Sequence, residues 1–164
     1  MAKTYEPIAT TTTASSAASV TFSSIVGTYT DLVIIVNGGG STSADLHVQF
    51  NGDTGSNYSR TVLSGNGTTA TSSRQTSVAY YRADSVGYLN TTFPAFNAII
   101  NIMNYSNATT YKTAVSRTNN AGTGTDASVG LWRNTAAITS VVLFPDTGTL
   151  TNGSTFTLYG IKAA

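Results

Sequence analysis

The sequence predicts an all-β fold, a jelly-roll-like antiparallel β-sandwich of about ten short strands. Three observations lead there. Apolar residues alternate with polar ones at period two in run after run, as on half-buried strands. Each run is bounded by Gly, Asn, Pro or Ser, the residues of tight turns. No segment repeats apolar residues at i, i+3, i+4 and i+7 over three turns, so no long helix is expected. The 164 residues suit one domain with a sizeable core. The expected division is an N-terminal extended arm over 1–18 and a single sandwich domain over 19–164.

Residues 8–19, IATTTTASSAAS, have little to bury and predict an extended arm, or a first edge strand behind a flexible tip. Val20, Phe22 and Ile25 then begin the period-two pattern. Leu32-Val33-Ile34-Ile35-Val36 is a continuous apolar run, which predicts a central strand buried on both faces. Leu46, Val48 and Phe50 alternate with His47 and Gln49, and Asn51-Gly52-Asp53 follows as a hairpin turn, because Asn-Gly tolerates positive φ. Residues 58–63 read as the returning strand, and 68–77, TTATSSRQTS, as a low-complexity polar loop. Strands resume at 78–82, 98–104, 111–117, 127–132, 139–144 and 155–161. No repeat of fixed period points to a solenoid or propeller.

Only 9% of residues are charged, so Ser, Thr, Asn and Gly make the polar surface. Such a surface steers poorly at long range but can hydrogen-bond neutral partners such as sugars or another protein face. Net charge is +1, and Lys3, Arg60, Arg74, Arg82, Lys112, Arg117, Arg133 and Lys162 form no run. No nucleic-acid partner is expected, since that binding needs a concentrated basic face. Without cysteine there is neither a disulfide framework nor a thiolate zinc site. The longest apolar run is five residues, so no membrane insertion is expected, and the N-terminus lacks the apolar region of a secretory signal. Charge-poor Thr/Ser edges are weakly protected and predict a homo-oligomer, most simply a trimer.

No catalytic set emerges, and no cofactor or metal is expected. His47, the one histidine, reads as an exposed strand residue with Asp45 on its own face. No serine sits in a Gly-x-Ser-x-Gly elbow. Most of the seven carboxylates lie in turn-like contexts, where Asp bonds its own backbone. Asn51, Asp53 and Asn57 are the nearest approach to a calcium loop, but they lack its acidic spacing and read as a turn. Gly38-Gly39-Gly40 opens no phosphate loop. The candidate binding residues are aromatic and arginine side chains. Tyr80-Tyr81-Arg82 places adjacent rings on opposite strand faces, Tyr105 and Tyr111 flank a loop, and Trp132-Arg133 ends a strand. Exposed, they suit sugar stacking or a protein contact; the competing reading has Trp132 and most tyrosines capping the core.

Five stretches carry a resemblance. They are Tyr5-Glu6-Pro7-Ile8-Ala9-Thr10-Thr11-Thr12, Phe50-Asn51-Gly52-Asp53-Thr54-Gly55-Ser56-Asn57-Tyr58-Ser59 and Met103-Asn104-Tyr105-Ser106-Asn107. The others are Val129-Gly130-Leu131-Trp132-Arg133-Asn134-Thr135-Ala136-Ala137-Ile138 and Gly153-Ser154-Thr155-Phe156-Thr157-Leu158-Tyr159-Gly160-Ile161-Lys162. Together they resemble a β-rich domain of virion structural proteins in tailed bacteriophages, notably those of cyanobacteria and marine bacteria, often at the end of tail-fibre-like chains. The resemblance implies a virion location and a non-enzymatic structural protein, a capsid decoration or a tail or fibre component. It would contact other virion proteins and assemble through its N-terminal arm and oligomer interface. Longer relatives append the block to other modules, whereas here Met1 lies four residues before Tyr5; the expectation is that the domain is the whole protein. The alternatives are a receptor- or glycan-binding adhesin of the tail, meeting host surface glycan, and a polysaccharide depolymerase.

Overall fold

The computed structural model describes residues 4–92 and 96–162. The tip of the expected arm, residues 1–3, and the last two residues lie outside them. Twelve strands are present where about ten were expected: β1 (Tyr5–Thr12), β2 (Val20–Phe22), β3 (Asp31–Gly38), β4 (Leu46–Phe50), β5 (Tyr58–Gly65) and β6 (Ala70–Val78) come first. They are followed by β7 (Tyr81–Arg82), β8 (Phe96–Met103), β9 (Lys112–Asn120), β10 (Gly124–Trp132), β11 (Val141–Pro145) and β12 (Thr155–Ile161). One sheet has eight strands in the order β1-β12-β3-β8-β9-β10-β5-β6, the other four in the order β2-β11-β4-β7. All pairings are antiparallel. The result is the jelly-roll-like antiparallel sandwich that the alternation predicts.

The two inner faces differ along the large sheet. Over β12, β3 and β8 they are dry: Phe156, Leu158, Leu32, Ile34, Val36, Phe96, Ile100 and Ile102 pack against Val20, Phe22, Leu46, Val48, Val141 and Leu143 of the small sheet. Over β9, β10 and β5 the inward positions include Ser116, Thr118, Asp126, Ser128, Arg60 and Ser64, all buried. Burying such groups is tolerable only when they are hydrogen-bonded. Tyr81 reaches in and its hydroxyl meets Ser116 Oγ at 2.6 Å and donates to Ser128 O at 3.2 Å. Asp126 accepts the N–H groups of Ser85 (2.7 Å), Val86 (3.2 Å) and Gly87 (2.7 Å), fixing the segment after β7 over this half. Gly130 makes room for Tyr81: a Cβ there would stand 2.3 Å from its ring.

Three expectations change. β3 is an interior strand between β12 and β8, but on its outer face Val33 is buried while Ile35 is 42% exposed, so the run is buried fully on one face and only in part on the other. Residues 68–77 are not a loop; most of them form edge strand β6, whose backbone pairs with β5 although its side chains bury almost nothing. Asn51 and Gly52 do have positive φ (54° and 66°), and Asp53 N–H donates to Phe50 O at 3.0 Å. Yet β4 and β5 lie in different sheets, so this turn is a crossover rather than a hairpin. Residues 5–12 take the edge-strand form, paired with β12 of the same chain.

Candidate functional site

The outer face of the small sheet gathers the charged groups. β4 lies between β11 and β7, with His47 opposite Phe144 on one side and Arg82 on the other. Asp146 N–H donates to Asp45 O at 3.0 Å, and Asp45 N–H donates to Asp146 Oδ1 at 2.9 Å. The two carboxylates are therefore set side by side. Arg82 Nη2 lies 2.7 Å from Asp45 Oδ1. Tyr80 stacks on His47 with ring centres 3.7 Å apart, and Phe144 closes the other side edge-on at 5.5 Å. The expected exposed histidine is thus covered by two rings and retains only 5% exposure. One ligand atom from each of Asp45, His47 and Asp146 lies within 4.8 Å of the others.

Burial governs the charge states. It pushes Asp45 up to about 6 against the pull of Arg82, with Asp146 adding to the rise. It brings His47 down to about 4, overriding the attraction of Asp146, so the ring is neutral at physiological pH. Beneath them Asp84 is fully buried, and burial together with Asp45 holds its carboxyl well above the usual range. Its Oδ2 accepts Leu46 N–H at 2.9 Å, while Oδ1 lies 3.7 Å from Arg82 Nε. Above the cluster is an open cleft of about 290 Å³ lined by Ser43, Asp45, Arg82, Ser85, Tyr88 and Asp146.

The sequence-derived binding residues separate into two groups. Tyr80 and Arg82 belong to the cluster just described. Tyr81, Tyr105 and Trp132 are buried and offer no ring to a surface partner, a correction to their place among the candidates. Tyr81 fills the polar half of the core. The Tyr105 hydroxyl donates to Val26 O, and Trp132 Nε1 donates to Asp53 Oδ2 at 2.7 Å. Arg133 is half-buried and donates to Ser56 O (3.1 Å) and Tyr58 O (3.3 Å), bracing the crossover turn. Tyr111 is 54% exposed. Asp146, Ser85 and Tyr88 are far from Asp45 in sequence and meet it only through the tertiary fold, so the sequence carries no signal that groups them.

A larger depression, about 630 Å³, lies on the outer face of the large sheet beside Leu63, Ala70, Ser72, Arg117 and Ala127. Register places two side-chain rows across that face. One runs Ser72, Leu63, Ala127, Arg117, Ile99, Ile35, Thr157, Thr10. The next runs Arg74, Thr61, Val129, Val115, Asn101, Val33, Tyr159, Pro7. Leu63 and Val129 are 63% and 53% exposed. Arg74 and Arg117 are the charged residues in these rows, and neither row contains a carboxylate.

No family model and no curated protein matches the chain. Among solved structures it is similar to galectin LEC-6 of Caenorhabditis elegans, at 8% identity and a TM-score of 0.37, covering 94% of this chain and 96% of that one. It is also similar to sucrose-6-phosphate hydrolase of Lactobacillus gasseri, at 9% identity and a TM-score of 0.29, covering 90% of this chain and 28% of that one. A human SPRY domain aligns at 11% identity and a TM-score of 0.21, over 96% and 99% of the two chains. No residue role is transferred from them.

Proposed function

We propose that the chain is a non-enzymatic structural protein on the outside of a tailed-phage particle, in the capsid coat or the tail, and that it assembles by packing the outer face of its eight-stranded sheet on a second copy of itself. The phage setting is supported by the resemblance of the five stretches. Self-assembly is supported by the apolar outer face, where Leu63, Val129, Ile35, Ile99 and Val115 share two rows with only two charges. Eight strands at about 4.8 Å spacing and about 20 Å of strand length give a footprint of roughly 700 Å², near the ~800 Å² per partner of a stable interface. A row of Asn37, Asn97 and Asn119 borders the apolar residues at one end of the face. Sedimentation equilibrium at micromolar concentration should show an oligomer, a dimer if the two outer faces meet each other and a trimer if the face meets a different surface of the next copy. Val129→Glu, an outward substitution, should give a monomer with the same far-UV spectrum. A monomeric parent protein, or an oligomer indifferent to Val129→Glu, would overturn the reading.

The small-sheet cleft favours a second reading, a glycan-binding adhesin. Carboxylates, an arginine, hydroxyls and Tyr88 around an open polar hollow match the groups that grip sugar hydroxyls. A glycan array on which Arg82→Ala loses every signal would support it. A depolymerase has less behind it, because Asp45 and Asp146 each already hold a structural contact. Reducing ends released from host polysaccharide would reinstate it.

A further inference from the structure

From the geometry of the small-sheet cluster we infer that Asp45, His47 and Asp146 form a site for one divalent cation of the zinc or manganese class. The site stands apart from the self-association face and does not depend on it.

The side chains come from two paired strands and point to one place, with a ligand atom of each within 4.8 Å of the others. His47 is 5% exposed as a residue, and one nitrogen of its ring lies within 4.8 Å of a carboxylate oxygen of each aspartate. A neutral imidazole beside two carboxylates is a donor set that divalent transition-metal ions take readily. Asp45 and Asp146 are like charges on neighbouring strands, an unfavourable pairing that Arg82 offsets from one side only. Each uses Oδ1 for an internal contact, Asp45 with Arg82 and Asp146 with the Asp45 N–H, and each leaves Oδ2 without a hydrogen bond among the described residues.

The donor set is one neutral nitrogen and two carboxylate oxygens, which suits Zn²⁺ or Mn²⁺ better than the all-oxygen preference of Ca²⁺ or Mg²⁺. Bonds of about 2.0–2.2 Å require donor atoms roughly 3–3.5 Å apart, so the side chains must draw in by about an ångström. Asp146 is exposed, and its Oδ2 can make that movement while Oδ1 stays with the Asp45 N–H. Three protein ligands leave one or more coordination positions for water or a ligand group, and the adjoining cleft supplies the space.

The test uses untagged, chelator-stripped protein titrated calorimetrically with ZnCl₂, MnCl₂ and CaCl₂. Zinc or manganese should bind once per chain and raise Tm by several degrees, with calcium weaker. Because His47 is the only histidine, its ring resonances should broaden selectively on adding Mn²⁺. Asp146→Asn keeps the acceptor for Asp45 N–H and tests the site without disturbing the core. Affinity should fall by at least the 10–100-fold that even outer-shell changes cost. His47→Gln is the second variant. No saturable binding at about 100 μM metal, a level far above typical structural-zinc dissociation constants, would overturn the inference. So would binding that survives Asp146→Asn unchanged, or His47 resonances unmoved by Mn²⁺.

Discussion

Gly130 and Tyr81 form a pair in which one residue's lack of a side chain makes room for the other's ring. A methyl group at Gly130 would overlap the Tyr81 ring at 2.3 Å, and the hydroxyl of that ring anchors Ser116 and Ser128. Gly130→Ala should therefore destabilise by more than ordinary overpacking, at least about 2–3 kcal/mol by urea denaturation. Asp126 acts through charge. Burial alone would raise its carboxyl, but Ser64 and the N–H groups of Gly87, Ser85 and Val86 outweigh burial and hold it below the usual value. The fold thus resists protonating it, and the associated stability is present above the unfolded pKa of about 3.9 and lost as pH falls through the folded value. Asp126→Asn should cost about 2–4 kcal/mol at pH 7, and the gap from the parent should narrow in urea melts taken at pH 3.

At the level of elements, the crossover turn ties separate stretches of sequence together. Asn51 Oδ1 accepts Thr139 N–H (2.8 Å) and Ser140 N–H (3.1 Å), while its amide donates to Ala137 O at 2.8 Å. Asp53 receives Trp132, Arg133 N–H donates to Asn57 O at 2.8 Å, and Ile138 N–H donates to Tyr105 O at 2.8 Å. Residues 50–59, 103–107 and 129–138 therefore interlock at one end of the sandwich. Trp132→Phe keeps most of the ring but leaves Asp53 with one donor fewer; a loss of about 1–2 kcal/mol is expected in thermal or urea melts. Asp53→Ala should cost more, since it also strands the Trp132 N–H. The same motif shows how the sequence misleads locally. Asn-Gly specifies the backbone angles of the turn but not the sheet that the next strand joins. In β6 the backbone ladder supplies what side-chain pattern lacks, and a polar, two-face-exposed strand such as 70–78 leaves no period to detect.

Across the whole molecule, the class of fold was legible because one face of most strands must be apolar, and alternation records that directly. Residues 155–161 were read with the bounds of β12, and the central position of 32–36 was correct. Pairing order was not legible, because β5 and β6 join β10 across a long stretch of chain. The candidate site suffered for the same reason. Asp45 and His47 share a strand face and could be seen together, whereas Asp146 arrives by register from a strand about a hundred residues on. Covering rings cannot be read from composition either, which is why the exposed His47 of the sequence became a buried one.

The place of β12 has a consequence for synthesis. It is the last of the twelve strands to leave the ribosome, yet it sits between β1 and β3. Until it arrives, β1 has no partner and β3 exposes one hydrogen-bonding edge next to its Leu-Val-Ile-Ile-Val run. The nascent domain thus carries an open, apolar strand edge from the synthesis of β3 until β12 emerges, the situation that favours aggregation over slow long-range pairing. A ribosome-stalled chain lacking 155–162 should stay protease-sensitive in β1 and β3, and become resistant when those residues are released or supplied as a peptide in trans.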